Sequence, residues 1–360
     1  MTRFYPLTVV DVRTELPDCV SVSLSIPDEA REAFQYAPGQ YLTFKTHMEG
    51  AEVRRSYSIC SAPHEGELRV AIKKVEGGRF SSWANGTLKP GDVLDVMPPA
   101  GRFTPRSSEN KYKHYVAFAA GSGITPVISI LKSVMEKEPG SRFTLIYGNR
   151  GKGSILFREG IEALKNRYME RLRVYHVLSR EAMDIPLFTG RIDGDKAAEF
   201  CRQLVDINKV DEAFICGPEA MILSVRDALI RLGLPEEHVH FELFTSPDAP
   251  QVQHQRWAAD HAAESGPVST VRITLDGVTT ELQLAHNGDT ILDAALKAGA
   301  DLPYACKGGV CSTCRAKVTE GAVEMEVNYA LEKDEVKNGF VLTCQSHPTT
   351  PVVSIDFDAR

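Results

Sequence analysis

The sequence predicts a multidomain protein with an antiparallel β-barrel, then an α/β domain with a parallel sheet, then a small cysteine-bearing domain. Three observations lead to this prediction. The first hundred residues alternate short strand patterns with turn residues. From about residue 112 onward, strand patterns alternate with helical periodicity. Four of the eight cysteines lie in the last 55 of the 360 residues, which is chain enough for two to three domains.

The first domain, 1–106, is predicted from short strands bounded by turns. Strand patterns occupy 20–26, 68–75 and 93–97, and proline–glycine turns separate them, as at 89–92. Strands of this length and spacing are typical of an antiparallel barrel or sandwich.

The second domain, 107–245, is predicted from alternating strands and helices. An apolar strand at 115–120 runs into a glycine loop, and apolar residues then recur with helical spacing. Backbone N–H groups at a helix start favour pyrophosphate, so Gly121 and Gly123 indicate a nucleotide-binding loop. A plain structural turn is the alternative. Thr125 is expected to cap the helix and Pro126 to occupy its first turn.

The ends of the next two strands bear on the choice of nucleotide. The first ends in Asn149 and Arg150, with no acidic residue for a ribose 2′-hydroxyl, and the second ends in Ser179 and Arg180. Both guanidinium groups could bind a 2′-phosphate, with Ser179 as a hydroxyl donor, which predicts NADPH. Two solvated surface arginines are the alternative.

The C-terminal part is predicted to be a separate acidic module. Proline-rich residues 246–268 predict a linker, although Trp257 indicates that part of it packs. The module, 269–360, carries 8 Lys or Arg against 13 Asp or Glu. It is expected to open with a hairpin around Asp276-Gly277 and a helix capped by Asp289.

The cysteines of this module have a diagnostic spacing, C-x4-C-x2-C followed after 29 residues by a fourth. It is the spacing of plant-type [2Fe–2S] ferredoxins. Glycines in the loop would let backbone N–H groups approach the sulfur atoms. Zinc is the alternative, but zinc sites prefer paired C-x2-C elements. The four candidate ligands are Cys306, Cys311, Cys314 and Cys344, whereas the cysteines expected to be small buried apolar residues are Cys19, Cys60 and Cys201.

Composition excludes several classes of function. The net charge of −7 and the lack of a basic tract argue against nucleic acid as a partner. No apolar run approaches 18 residues, so we expect no membrane span. The acidic first 30 residues do not form a secretory signal, so we expect a cytoplasmic protein without disulfides.

Four motifs, together with the cysteine spacing, resemble the ferredoxin–NADP reductase superfamily with a C-terminal plant-type ferredoxin. They are Arg55-Ser56-Tyr57-Ser58, Gly77-Gly78-Arg79-Phe80-Ser81, Gly121-Ser122-Gly123-Ile124-Thr125-Pro126 and Cys216-Gly217-Pro218-Glu219-Ala220-Met221. The resemblance covers the whole chain. It implies that the barrel binds flavin, that the α/β domain binds nicotinamide nucleotide, and that the ferredoxin domain is a β-grasp (α+β) fold.

For the flavin, the resemblance implies FAD held by the first two motifs. Arg55 would neutralise the pyrophosphate, Tyr57 would stack on the isoalloxazine and Ser58 would hydrogen-bond near N5. The remaining residues implied to contact FAD are Ser56, Gly78, Phe80 and Ser81.

For hydride transfer, the resemblance places Cys216 near the nicotinamide, with Glu242 close to it. A buried core thiol is the alternative for Cys216. Gly217 and Phe244 complete the implied nucleotide site, beside Gly121, Gly123, Thr125 and Pro126.

Three further segments narrow the resemblance, at 147–150, 190–194 and 301–311. They resemble the reductase components of phenylacetyl-CoA epoxidases, and the reductases of 3-ketosteroid hydroxylases or other ring-hydroxylating systems are the nearest alternative. The implied path runs from NADPH to FAD, to [2Fe–2S] and to di-iron oxygenase subunits, in aromatic catabolism. A self-contained reductase and a redox-sensing module are the other classes considered. The first lacks any haem or molybdenum pattern, and the second would not need a complete hydride-transfer set.

Overall fold

The structure, a computed structural model, describes residues 4–106, 112–244, 257 and 267–359. These form two compact units. The larger comprises Tyr5–Gly50 and Tyr57–Phe244. The smaller comprises Phe4, Ala51–Ser56 and the described residues that follow Phe244. No helix of the described residues is long and apolar enough to cross a membrane.

The first sheet has six strands in the order β4–β3–β6–β1–β2–β5, which confirms the predicted barrel-like domain. The pairs β1–β2, β1–β6, β2–β5 and β3–β6 are antiparallel. Leu7, Val22, Leu42, Phe44 and Val70 are fully buried on these strands. The elements are β1 (Tyr5–Leu16), β2 (Cys19–Ser25), β3 (Tyr41–Met48), β4 (Ala51–Ser58), β5 (Leu68–Lys73), α1 (Arg79–Gly86) and β6 (Val93–Val96).

The second sheet is parallel, with five strands in the order β11–β10–β7–β8–β9. Strand β7 has β8 on one side and β10 on the other, so the strand order reverses there. In open α/β sheets, ligands bind outside the carboxyl ends of the strands at such a point. The elements are β7 (His114–Ala120), α2 (Ile124–Lys137), β8 (Arg142–Asn149), α3 (Arg158–Arg167), β9 (Leu172–Leu178), α4 (Gly194–Gln203), β10 (Glu212–Gly217), α5 (Glu219–Arg231) and β11 (Val239–Leu243).

The two sheets of the larger unit share one hydrophobic core. Cys60 and Phe103, from the barrel side, belong to the same buried cluster as Tyr115 and Phe214 of the parallel sheet. The Phe103 and Phe214 rings meet edge to face with centroids 5.3 Å apart. This shared core fixes the end of β4 relative to the ends of β10 and β11.

The smaller unit contains a five-stranded sheet in the order β13–β12–β18–β14–β16, in which β12 and β18 are parallel. Helix α6 packs its buried face into the same core as the sheet. This confirms the predicted α+β domain. The elements are β12 (Val268–Leu275), β13 (Val278–Ala285), α6 (Ile291–Lys297), β14 (Arg315–Glu320), β15 (Val323–Met325), α7 (Lys333–Lys337), β16 (Phe340–Leu342), β17 (Ser346–Pro348) and β18 (Val352–Asp356).

The predicted hairpin is present between β12 and β13. Asp276 and Gly277 have φ values of 53° and 73°. Two successive residues with positive φ are what a two-residue type I′ turn requires, and Asp-Gly is a preferred pair for it.

Two predicted helix caps are wrong. Helix α2 already begins at Ile124, so Thr125 lies in its first turn and donates to the Ser122 carbonyl at 3.0 Å instead of capping. Helix α6 is capped by Thr290, whose hydroxyl accepts from the Asp293 N–H. Asp289 lies one residue too early and instead pairs with Lys297 at 2.6 Å.

Most of the predicted linker, 246–268, lies outside the described residues. Trp257 is the exception before residue 267. It is buried, and its ring stacks on that of His347 with centroids 3.6 Å apart. The expectation that part of this segment packs is therefore confirmed.

Candidate redox site

The three residues predicted to be catalytic lie together in the larger unit. Ser58 ends strand β4, and its hydroxyl donates to Glu242 Oε2 at 2.9 Å. Glu242 on β11 is paired in register with Cys216 on β10. The end of the flavin motif and the end of the nucleotide sheet therefore share one hydrogen-bonded cluster.

Burial governs the ionisation of this cluster. It raises the pKa of Glu242 to about 7, against the opposing effect of the Ser58 hydrogen bond. Burial, and then the negative charge of Glu242, raise the pKa of the Cys216 thiol well above its ordinary value. Cys216 is fully buried, so it is a neutral thiol at physiological pH and not a nucleophile.

The glycine loop connects β7 to α2 beside this cluster. Gly121 has φ 55°, and its carbonyl accepts a hydrogen bond from the Tyr147 hydroxyl at 3.0 Å. A Cβ on Gly123 would lie 2.2 Å from the Cys216 carbonyl oxygen. A Cβ on Gly217 would lie 2.8 Å from the terminal methyl group of Met221, a flexible side-chain end that can move aside. Of the predicted glycines, Gly123 is therefore the one that the close approach of the helix start to the end of β10 requires. Gly121 contributes its positive φ, and Pro126 is buried in the first turn of α2.

The predicted 2′-phosphate residues lie side by side. The Ser179 N–H donates to the Asn149 carbonyl and the Arg180 N–H to the Arg150 carbonyl, which extends the β8–β9 ladder beyond its strands. Both arginines are exposed, and neither forms an ion pair within the described chain. Asn149 Nδ2 is buried and has no hydrogen-bond partner among the described residues. An orphaned donor and two exposed arginines on neighbouring backbone segments fit an anionic nucleotide.

The second flavin motif forms the start of helix α1. Gly78 precedes the helix, and the Ser81 hydroxyl accepts from the Val75 N–H and donates to the Gly78 carbonyl. No side chain of the described residues caps this helix, so the N–H groups of its first turn are suited to bind pyrophosphate. The Phe80 ring is 1% exposed, so only the backbone of Phe80 can take part.

Aromatic rings surround the flavin motif. The Tyr57 ring lies 5.6 Å from that of Phe80 and 5.9 Å from that of Phe44, by centroids. These contacts restrain a half-buried ring that could stack on a flavin. At the end of β11, Phe244 is a large apolar side chain with 42% exposure, which also suits an aromatic ligand.

The cysteine loop of the smaller unit has the backbone form that a cluster needs. Lys307 and Gly309 both have positive φ, of 52° and 72°. The Gly308 N–H consequently points to Cys306 Sγ at 3.3 Å, and the Gln345 side-chain amide lies 3.6 Å from Cys344 Sγ. Donors aimed at sulfur stabilise thiolate ligands.

The four thiols are free and lie in contact with one another. Hydrogen bonds link Cys306 to Cys311 and Cys344. The bond with Cys311 lowers the pKa of Cys306, but the bond with Cys344 and burial together raise it to about 11. Cys344 in turn contacts Cys314. Among the described residues, no three His, Cys, Asp or Glu side chains form a site for a single metal ion. Four free cysteines in mutual contact fit a [2Fe–2S] cluster, which would take all four as ligands.

The other cysteines behave as predicted. Cys19, Cys60 and Cys201 are buried and free. Burial raises their pKa values to about 12, 12 and 11. They are apolar packing residues.

One residue of the smaller unit was missed by sequence reasoning. Arg54 is buried beside the flavin motif, and its guanidinium contacts the loop that precedes Cys306. The residue precedes Arg55 in the sequence, but nothing in that motif indicates contacts with residues about 250 positions away.

The folds and sites define an iron–sulfur flavoprotein reductase. Family models match an FAD-binding oxidoreductase domain at residues 6–104, an NAD-binding oxidoreductase domain at 118–227 and a 2Fe-2S iron-sulfur cluster binding domain at 273–349. The cofactors are therefore FAD, a [2Fe–2S] cluster and NAD(P)H. The chain belongs to the family of ferredoxin–NADP reductase-type proteins with a C-terminal ferredoxin domain.

Curated relatives match along the full chain. The chain is 44% identical to a 1,2-phenylacetyl-CoA epoxidase component of Escherichia coli, over 100% of this chain and 99% of that protein. It is 35% identical to the ferredoxin reductase component of 3-ketosteroid-9-alpha-monooxygenase from Rhodococcus rhodochrous, over 99% and 97%. Among solved structures, phthalate dioxygenase reductase matches with TM-score 0.57 and 22% identity over 98% of both chains, which shows the shared fold.

Proposed function

We propose that this protein is the reductase component of a di-iron oxygenase that epoxidises an aromatic acyl-CoA thioester such as phenylacetyl-CoA. It takes electrons from NADPH and passes them through FAD and the [2Fe–2S] cluster to the oxygenase subunits. Reduction of a 3-ketosteroid hydroxylase is the second candidate. The full-length 44% identity to the epoxidase component, against 35% to the steroid system, favours the epoxidase.

The observation that carries a hydride-transfer function is the cluster of Ser58, Glu242 and Cys216. It joins the last residue of the flavin motif to the nucleotide sheet within the larger unit, whose two sheets share a core. FAD, when bound, accepts a hydride and releases electrons one at a time. Glu242, with a pKa of about 7, can take up and release a proton near physiological pH, and its Oε2 accepts the Ser58 hydrogen bond that orients the carboxyl. Neutral Cys216 provides an apolar wall that excludes water.

The proposed binding residues divide by cofactor. Arg55, Tyr57 and the first turn of α1 hold FAD, with Ser56 and Ser58 beside them. The glycine loop and Phe244 hold the nucleotide, together with Asn149, Arg150, Ser179 and Arg180. The two exposed arginines select NADPH. The cluster ligands are Cys306, Cys311, Cys314 and Cys344.

We place the protein in the cytoplasm. All eight cysteines are free, which suits a reducing compartment. NADPH and CoA thioesters, the proposed electron donor and the proposed substrate of the partner, are made and used in the same compartment.

The test is reconstitution of the coupled reaction. NADPH, the full-length protein, purified epoxidase subunits and phenylacetyl-CoA should consume oxygen and yield the ring-epoxidised thioester. Replacing the epoxidase by a 3-ketosteroid hydroxylase and its steroid gives the matched comparison. Product formed only in the steroid reaction would reject the epoxidase assignment in favour of the second candidate. NADPH oxidation without product in either reaction would reject both.

A further inference from the structure

A buried arginine on strand β4 contacts the loop that leads to the first cluster cysteine. The Arg54 side chain is only 5% exposed, and its Nε donates to Glu52 at 2.8 Å. Its Nη1 donates to the Leu302 carbonyl at 3.3 Å, and its Nη2 lies 3.5 Å from Asp301 Oδ1. All of these residues belong to the smaller unit.

Aromatic rings complete the contact. The Arg54 guanidinium carbon lies 4.1 Å from the centre of the Tyr304 ring and 5.1 Å from that of Phe4. The Tyr304 hydroxyl donates to Glu52 at 3.3 Å, so Glu52 binds both partners. A planar cation stacked on a ring and held by a carboxylate has a defined orientation.

The burial of this charge depends on the loop. A guanidinium out of contact with water requires hydrogen-bond acceptors and counter-charges around it. Glu52 supplies one acceptor from the strand itself, but the Leu302 carbonyl and the Tyr304 face come from the loop. The strand and loop are separated by about 250 residues, so the contact is not local support for either element.

The two ends of the contact lead directly to the predicted redox groups. Arg54 is followed by the flavin motif, and Arg55 Nη1 donates to the Arg54 carbonyl at 2.7 Å. Tyr304 lies two residues before the cluster ligand Cys306. A shift of Arg54 therefore affects the candidate pyrophosphate-binding arginine on one side and the cluster loop on the other.

We propose that Arg54 is a positioning residue that docks the cluster loop on the strand carrying the flavin motif and thereby sets the rate of electron transfer from flavin to cluster. The proposal rests on the proposed electron path. In each transfer one electron leaves the reduced flavin and one ferric ion of the cluster becomes ferrous. Two transfers reoxidise the flavin, each after the cluster has passed its electron to an external acceptor.

The test measures flavin reduction and cluster reduction separately, by stopped-flow absorbance after mixing holoprotein with NADPH. Arg54→Ala removes the docking group. Arg54→Lys keeps the positive charge but loses the planar group that stacks on Tyr304. Glu52→Gln removes the carboxylate charge that holds the Arg54 guanidinium in its orientation. Arg272→Ala is the matched control, because it removes a 46%-exposed guanidinium paired with Glu281 in the same unit. First-order rate constants are compared, so incomplete cluster loading does not affect the result.

Arg54→Ala should slow cluster reduction about 10-fold or more, since a lost charged hydrogen-bond network of this kind changes an equilibrium by roughly that factor. Arg54→Lys and Glu52→Gln should give smaller losses. Flavin reduction should stay within about twofold, as should both phases in Arg272→Ala. Unchanged cluster reduction in Arg54→Ala, or equal slowing in Arg272→Ala, overturns the proposal.

A readout independent of turnover is amide hydrogen exchange in the holoprotein. Peptides covering 51–56 and 301–305 should exchange faster in Arg54→Ala than in the unmodified protein, and their exchange should be unchanged in Arg272→Ala. Equal protection of these peptides in the two variants overturns docking by Arg54. Failure of the proposed function would appear differently. The oxygenase would then receive no electrons, although cluster reduction would still depend on Arg54.

Discussion

At the scale of single residues, the Glu242 carboxyl controls a pH dependence that can be isolated. Its pKa is raised to about 7 from 4.5, so the folded protein binds an additional proton between those values. Stability from this group is therefore fully present below about pH 4.5 and is lost as pH rises through about 7. The ionised carboxylate retains the Ser58 hydrogen bond, but burial still penalises its charge.

We predict that Glu242→Gln is more stable than the unmodified protein at pH 8, by ~1–3 kcal/mol, because Gln resembles the protonated acid. The difference should shrink as pH falls toward 5. Urea unfolding of both proteins across this pH range measures the difference in their free energies of unfolding. Subtracting one free energy from the other cancels the titration of all other groups. A stability difference that does not vary with pH would show that Glu242 has an ordinary pKa.

The nucleotide preference is also a property of single residues. Arg150→Ala or Arg180→Ala should raise the KM for NADPH roughly 10- to 100-fold and leave that for NADH nearly unchanged, because a charge-assisted phosphate contact is lost. Steady-state ferricyanide reduction with each nucleotide measures this. Arg142→Ala, at the opposite end of β8, is the control. Equal use of NADH and NADPH by the unmodified protein would refute the prediction.

At the scale of elements, local patterns predicted much of the fold. The β12–β13 turn was predicted from the pair Asp276-Gly277. The parallel sheet was predicted from the alternation of strand patterns with helical periodicity of apolar residues. Helix α4 was not predicted, although Asp193 caps it by accepting from the Lys196 N–H. The sequence of this helix is mostly polar and lacks a regular apolar spacing, so the capping residue alone did not predict it. The structure shows that Phe200 is one of its buried packing residues. Arg54 was missed for a different reason, because the Leu302 carbonyl and the Tyr304 ring that help to bury it are distant in sequence.

The approach of α2 to β10 gives a prediction about packing between elements. Gly123→Ala would place a Cβ 2.2 Å from the Cys216 carbonyl, so the helix start or the strand end must move. We expect hydride transfer from NADPH to fall ~10-fold or more, since the predicted nucleotide loop and Cys216 shift together. Single-turnover flavin reduction measures it. Gly153→Ala, where a Cβ meets nothing within 4 Å, should leave the rate unchanged.

The cysteine loop gives a second prediction at this scale. Replacing any one of Cys306, Cys311, Cys314 or Cys344 by Ser should abolish or strongly reduce the cluster's electron paramagnetic resonance signal. FAD-dependent ferricyanide reduction should remain, because the cluster of Ser58, Glu242 and Cys216 belongs to the larger unit and the four cysteines do not. Cys19→Ser and Cys201→Ser are the controls. Equal cluster loss in either of these would show that the ligand set is wrong.

At the scale of the whole molecule, most of the net negative charge lies in the C-terminal module. The C-terminal module holds −5 of the net charge of −7 in about a quarter of the chain. The same module carries the cluster cysteines, so the proposed exit point for electrons lies in the most acidic part of the sequence. An acidic surface accelerates encounter with a basic one, and this acceleration is screened by salt.

We therefore predict that the second-order rate constant for reduction of the oxygenase falls with ionic strength. Between about 10 mM and about 1 M salt the Debye length shrinks from about 30 Å to about 3 Å, and the rate constant should fall ~10-fold or more. Oxygen consumption at saturating NADPH, with the oxygenase concentration varied, measures it. Ferricyanide, an anion repelled by this protein, is the control, and its reduction should rise or stay constant with salt. If oxygenase reduction instead rose with salt, the acidic module would be hindering the encounter and the docking face would have to lie elsewhere.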